Sequence, residues 1–307
     1  MKSTALQNLQ SPLLALTIMM ALVGAVPSLN AATTTLSAVA DVSLMENNKG
    51  ELNTGGDSQI AGGVLANGER TRILLRFDLS SLPATAVIKS VTLTTTAVKQ
   101  NFSAPGALFI VHRMLVAWQE GRGTGSVGES ALPGEAAWQW RAAPSDVWAT
   151  PGGKPGTDFV TASSSSAEIR AIGSVVFQSS AQLVADAQAW VSQPQSNFGW
   201  VLKAADEKTA TTARRFASRE ADEGGPSLDI EYELPIPELK VSSPVLSPGK
   251  LSFGWSATTP PYQVQTRSDI SAQWVNLGPP QQGAEVSVPT DGSQGYFRVI
   301  DARPQAR

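Results

Sequence analysis

Past residue 30, hydrophobic and polar positions alternate in short runs, the period of half-buried β-strands. In Thr71–Ser80, Ile73, Leu75, Phe77 and Leu79 share one parity, while Arg72, Leu74, Arg76 and Asp78 share the other. Ser90–Val98 alternates Val91, Leu93 and Thr95 against Thr92, Thr94 and Thr96, and Leu108–Leu115 and Asn197–Lys203 form two further strand runs. In Leu228–Leu234, Leu228, Ile230, Tyr232 and Leu234 point one way and Asp229, Glu231 and Glu233 the other. One segment departs from period two. Ser179–Gln193 lines up Leu183, Ala187, Trp190 and Val191 at helical spacing, behind serines suited to cap a helix and ahead of Pro194. The pattern predicts an all-β fold: a β-sandwich with one short crossover helix packed over a sheet end.

Pro235-Ile236-Pro237 is a stiff break, since each proline fixes its own φ and biases its predecessor towards extended geometry. Beyond it, residues 238–307 contain the short runs LSFGWSA, YQVQTR, WVNLG, AEVSVP and GYFRVID, punctuated by Pro and Gly as in a second, small β-sandwich. The expected organisation is residues 1–31 as a signal peptide, 32–234 as the first sandwich, 235–237 as linker and 238–307 as the second. The signal reading rests on Lys2, the apolar run Leu13–Val26 and small residues near Ala31. The run is shorter than the roughly 20 residues of a membrane span. Export without a lasting membrane anchor is therefore expected, to the extracellular space or periplasm.

Composition narrows the chemistry. The 307 residues include no cysteine and one histidine, which removes thiolate chemistry and the usual zinc sites. The net charge of −3 supplies no general attraction for nucleic acid. His112 sits in a strand-like run, no G-x-S-x-G pattern occurs, and the acids Glu120, Glu129, Glu135, Asp146 and Asp158 show no spacing that marks a catalytic pair. A non-catalytic role is expected, with a polysaccharide-active enzyme as the third reading, behind binding and structural roles.

Asp41, Glu46, Asn53 and Asp57 offer the oxygen donors that calcium prefers, without EF-hand spacing, and solvated turns suit them better. Sugar binding calls for aromatic faces and hydroxyl partners. Trp138 and Trp140 share strand parity in the segment between Trp118 and Trp148, either as a stacking surface or as core. Trp118, Trp190 and Trp200 are expected in the core. Lys99, Arg113, Arg141 and Lys203 are candidate partners for an acidic glycan, because guanidinium and ammonium groups pair carboxylates. In RRFASREADEGGPSLDIEYEL (Arg214–Leu234), a hairpin register that buries Arg215 and Arg219 costs several kcal/mol. The expected register therefore sets Arg219 opposite Asp229, Ala217 opposite Glu231 and Arg215 opposite Glu233, with Phe216 against Tyr232.

These motifs together resemble the disaggregatase-related DNRLRE domain, also classed as carbohydrate-binding module family 96. The carriers run in order: Ala40-Asp41, the block Glu69–Pro83, the strand VIKSVTLTTT, Trp118 with Glu120, AQAW with NFGWVLK, and RRFASRE with GGPSLDIEYEL. They span residues 33 to 234. This chain departs in having Gln178 or Ser179 where the family often carries an acid before its helix, and in its expanded segment between Trp118 and Trp148. The resemblance implies an extracellular jelly-roll-like sandwich, often appended to polysaccharide-active enzymes, with alginate as a known ligand class. The C-terminal piece resembles fibronectin type III-like modules through Tyr262–Gln265, Trp274, Leu277-Gly278 and Gly295–Val299. That likeness implies a spacer or attachment role. The function expected is binding of an extracellular polysaccharide or cell-envelope glycan, acidic ones included; the alternative is a structural or adhesive surface protein.

Overall fold

The structure is a computed structural model describing residues 30–47, 49–235, 239–256, 261–289 and 295–302. The signal run Leu13–Val26 and residues 236–238 at the linker lie outside the described residues. Among the described residues the chain is all-β with one α-helix, and no helix is long and apolar enough to cross a membrane. Contacts divide it into two compact units, one spanning Asn30–Pro235 and the other containing Ile236–Arg307.

In the first unit the strands are β1 (Asn30–Met45), β2 (Leu52–Asn53), β3 (Gln59–Val64), β4 (Arg70–Phe77), β5 (Val87–Gln100), β6 (Ala107–Arg113) and β7 (Glu129–Ser130). They continue with β8 (Trp140–Ala142), β9 (Asp146–Val147), β10 (Ser165–Ile169) and β11 (Gly173–Phe177). The helix α1 (Ala181–Ser192) precedes β12 (Trp200–Ala204), β13 (Arg214–Ala217) and β14 (Ser227–Leu234). One sheet gathers β14, β5, β11, β13 and the first half of β1; the other gathers β4, β12, β6, β10 and the second half of β1. β1 crosses between them at Ser37–Ala38, and β3 pairs with β13 in one and β4 in the other.

The main core lies between the sheets: Val91, Leu93, Phe216, Leu228 and Ile230 from one, Ile73, Leu75, Phe77, Phe109 and Leu202 from the other. Phe109 and Phe216 meet across it at 5.8 Å. The helix closes one side as its sequence stripe requires, burying Leu183, Ala187, Trp190 and Val191, and the Ser180 hydroxyl accepts the Leu183 N–H at 3.0 Å. Trp190 and Trp200 sit edge to face at 4.4 Å.

A second apolar cluster covers the outer face of the β4 sheet. Ala40, Val42, Leu44, Leu74 and Val201 from the strands meet Trp118, Ala136, Trp138 and Trp148 from the expanded segment and Phe159 from the loop that follows it. This is why Leu74 interrupts the polar parity of β4: that strand is buried on both faces.

The segment Arg214–Leu234 requires a correction. It is no hairpin, because β13 and β14 do not pair with each other. Both run antiparallel to β5, with Arg215 opposite Lys99, Phe216 opposite Ala97, Ser227 opposite Thr94 and Glu233 opposite Val87. Since β11 takes the same β5 residues from the other edge, β13 and β14 lie end to end along one edge. The 14-residue length of β5 makes room for both, so residues 218–226 are an excursion between collinear strands. The expected pairs Arg219–Asp229 and Arg215–Glu233 therefore do not form. Asp229 accepts from the Thr35 hydroxyl at 2.6 Å, and Glu233 pairs with Lys89 at 2.8 Å.

The C-terminal unit comprises β15 (Lys240–Val241), β16 (Val245–Ser247), β17 (Lys250–Ser256), β18 (Tyr262–Arg267), β19 (Val275–Asn276), β20 (Glu285–Pro289) and β21 (Tyr296–Asp301). β17 pairs with β15, β16 and β20, while β18 lies between β19 and β21. Leu251, Phe253, Trp255, Tyr262, Val264 and Val288 form its own core.

Candidate functional site

The pairing of β13 with β5 builds the most promising surface. Lys99 and Arg215 are cross-strand partners, so their side chains share a face of the sheet. The register skips Val98, a one-residue bulge of the kind that re-aims neighbouring side chains. Both cations line a groove of about 610 Å³, together with the amides of Asn47, Asn67, Gln100 and Asn101. Met45, Leu52, Val64 and the 71% exposed Val127 add apolar wall. Arg215 donates to the Ser126 carbonyl at 2.7 Å, and among the described residues neither Lys99 nor Arg215 makes an ion pair. Arg214, buried at the groove wall, gives its Nη donors to the carbonyls of Pro105, Ile169 and Thr212, while its Nε has no partner. Like charges directly opposite on neighbouring strands destabilise a sheet. Glu69 lines the same groove but pairs with neither cation, so the Lys–Arg pair is a cost that an anionic ligand would offset.

The other basic residues named from sequence are engaged elsewhere. Arg113 lies 3.1 Å from the buried Asp186, without hydrogen-bond alignment, and Arg141 lies 3.3 Å from Asp146. Lys203 is buried, donates to the Ala204 carbonyl and sits 3.3 Å from Glu207. Burial holds the Lys203 pKa below the usual lysine range, against the pull of Glu207. His112 is buried against Phe159, with Nδ1 3.1 Å from the Ala162 carbonyl.

Trp138 is not a surface platform: it is 2% exposed. The guanidiniums of Arg70 and Arg72 lie 5.1 and 5.2 Å from its ring, and a Cβ on Gly152 (φ +82°) would approach that ring to 2.7 Å. Trp140 is half-buried in the β8–β9 ribbon, opposite Val147. The expanded segment thus spends Trp138 and Trp148 on covering a sheet.

The expected calcium donors do not converge. Glu46 pairs with Arg70, whose hydrogen bonds hold its carboxyl below the ordinary range. Asn53 is fully buried, donating to Glu135 and the Ala136 carbonyl, and Asp57 accepts the Gln59 N–H at 2.9 Å. Asp41 instead meets Glu120 and Glu220, the three carboxylates lying within 4.8 Å of one another. Arg219 knits this group, reaching both Glu120 oxygens at 2.8 Å and Glu220 at 2.7 Å. Its backbone N–H donates to Asp41 Oδ2 at 2.7 Å, and the Asp41 N–H to Glu120 at 2.6 Å. The oxygens suit a hard cation, but the Arg219 guanidinium already occupies those of Glu120 and one of Glu220. Asp41 Oδ1 alone is buried without a partner. Burial, aided by the Glu220 and Glu120 charges and opposed by the Arg219 N–H, pushes the Asp41 carboxyl up to about 8.

Arg215 entered the sequence reading as a structural residue. Its signal, a strand arginine one residue from a core phenylalanine, becomes functional only once Lys99 is known to lie opposite. Compared with known proteins, the chain matches no family model and no curated protein.

Proposed function

We propose that the protein is an exported, non-catalytic module that binds an acidic extracellular polysaccharide in the groove of Lys99 and Arg215. The observation that carries this reading is the cross-strand pair of cations without an acidic partner, set in an amide-lined groove. The Arg215 fork and the Lys99 ammonium would take uronate carboxylates. Asn47, Asn67, Gln100 and Asn101 would meet ring hydroxyls, and Val127, Leu52 and Met45 would cover C–H faces. The resemblance to DNRLRE domains, with alginate as a ligand class, supports the same direction. Chemistry of this kind binds without making or breaking a bond.

Affinity electrophoresis in gels containing alginate, pectin or a neutral β-glucan tests it. Retardation by the acidic polymers is expected, weakening with salt as exposed charge pairs do. K99A/R215A should weaken it roughly ten- to a hundredfold, whereas R170A, at an exposed pair with Glu168, should leave it unchanged. Retardation by no glycan would sink the reading and favour the adhesive one.

A further inference from the structure

The C-terminal unit carries a second group of cations. β18 and β21 pair with Gln265 opposite Arg298 and Arg267 opposite Tyr296, and β19 sets Asn276 opposite Gln265. By strand alternation these five side chains share the sheet face turned away from the core residues Tyr262 and Val264. Trp274 packs on that face, with the Arg267 guanidinium 4.4 Å and the Arg298 guanidinium 4.5 Å from its ring. Arg267 also lies 5.3 Å from the Tyr296 ring.

The hydrogen bonds orient these groups without neutralising them. Arg298 Nε donates to Gln265 Oε1 at 2.7 Å, and Gln265 Nε2 donates to Asn276 Oδ1 at 2.8 Å. Arg267 Nε is buried without a partner. The acid close in sequence, Asp269, accepts from the Ser271 N–H and hydroxyl and feels the Arg267 charge without forming an ion pair with it. Among the described residues no ion pair involves either arginine. Two guanidiniums held against one indole repel each other, and burial followed by the Arg267 charge pulls the Arg298 pKa down. The indole offsets part of this through its π face. The remaining outward donors are left for an anion.

We propose that this face is a second carboxylate-binding site for an acidic polysaccharide, with Arg267 and Arg298 as its ligand forks and Trp274 holding both in place. The choice of a uronate polymer over other polyanions rests on the reading given under Proposed function. The C-terminal unit then does more than space or attach: a polymer that reaches both sites gains avidity without any new contact.

Isothermal titration of the full chain with an oligoguluronate tests the site. Wild type should bind two oligomers per chain, and R267Q/R298Q and K99A/R215A should each bind one. An unchanged titration in R267Q/R298Q would make the arginine–tryptophan stack purely structural, overturning this site while leaving the groove reading intact. Loss of one oligomer in R267Q/R298Q but none in K99A/R215A would do the reverse. No binding by wild type would overturn both. A DNA oligonucleotide bound as tightly, and lost in R267Q/R298Q, would reassign the forks to phosphate and overturn the glycan assignment. Should that variant lose the circular dichroism or melting of the unit, R267K/R298K carries the test. It keeps the charge but not the planar fork, and about tenfold weaker binding at this site is expected; undiminished binding would overturn the proposal.

Discussion

Asp41 is a carboxylic acid placed where its ionised form is costly. It is fully buried, Oδ1 has no partner, and Glu120 and Glu220 crowd it while Arg219 is shared among all three. Its pKa rises from 3.8 to about 8, burial being the largest cause. A raised acid pKa means that the folded state holds more protons than the unfolded state between those values. Stability from this group is therefore fully present below about pH 4 and is lost as pH climbs to about 8. D41N keeps an acceptor for the Arg219 N–H and cannot ionise. Urea unfolding from pH 4 to 9 should show the wild type losing stability relative to D41N across this window. Parallel profiles would mean that Asp41 does not carry the titration. The sequence singled out Asp41 as an oxygen donor but gave no hint of its company, since Glu120 and Glu220 reach it through tertiary folding from distant segments.

At the scale of elements, alternation marked the main strands and the helix, whereas coverage and pairing order were hidden. Leu74 on the polar side of β4 was the one visible sign that a second layer exists. A tryptophan-rich segment reads the same whether it faces sugar or covers a sheet, because both uses need large apolar surface. Likewise Gly224-Gly225-Pro226 suits a hairpin turn as well as it suits an excursion between collinear strands. Arg72 shows how the covering segment is held: it pairs with Glu207 through Nε and Nη2 at 2.8 and 2.7 Å and donates to the carbonyls of Gly152 and Gly153. It also lies 5.2 Å from the Trp138 ring and 5.8 Å from that of Phe159. Removing one partner of a buried ion pair costs about 3–5 kcal/mol, so R72A should destabilise the first unit by that order in urea unfolding. Hydrogen exchange should rise first in residues 136–159, where those carbonyls and rings lie. Loss confined to the β13–β14 region instead would contradict this anchoring role.

For the whole molecule, the proline break marked the place where the chain divides, because φ restriction is written in the sequence itself. The two units have separate cores, Ile73, Phe77, Phe216 and their neighbours in one and Leu251, Phe253 and Trp255 in the other. Small domains bury a smaller fraction of their surface, and this chain has no cysteine with which to staple one. The C-terminal unit should therefore be the weaker, and without a core in common the two should unfold as separate cooperative blocks. Scanning calorimetry of the chain should resolve two transitions, the smaller at lower temperature. Ending the chain after Pro235 should abolish the smaller transition and move the larger by no more than about 2 °C, less than the shift expected from 1 kcal/mol in a domain of this size. A single transition that collapses on truncation would show the units to be one folding body. In that case the loss of oligoguluronate binding in R267Q/R298Q would have to be judged against the stability of the whole chain. With independent units, the same loss reports on Arg267 and Arg298 themselves.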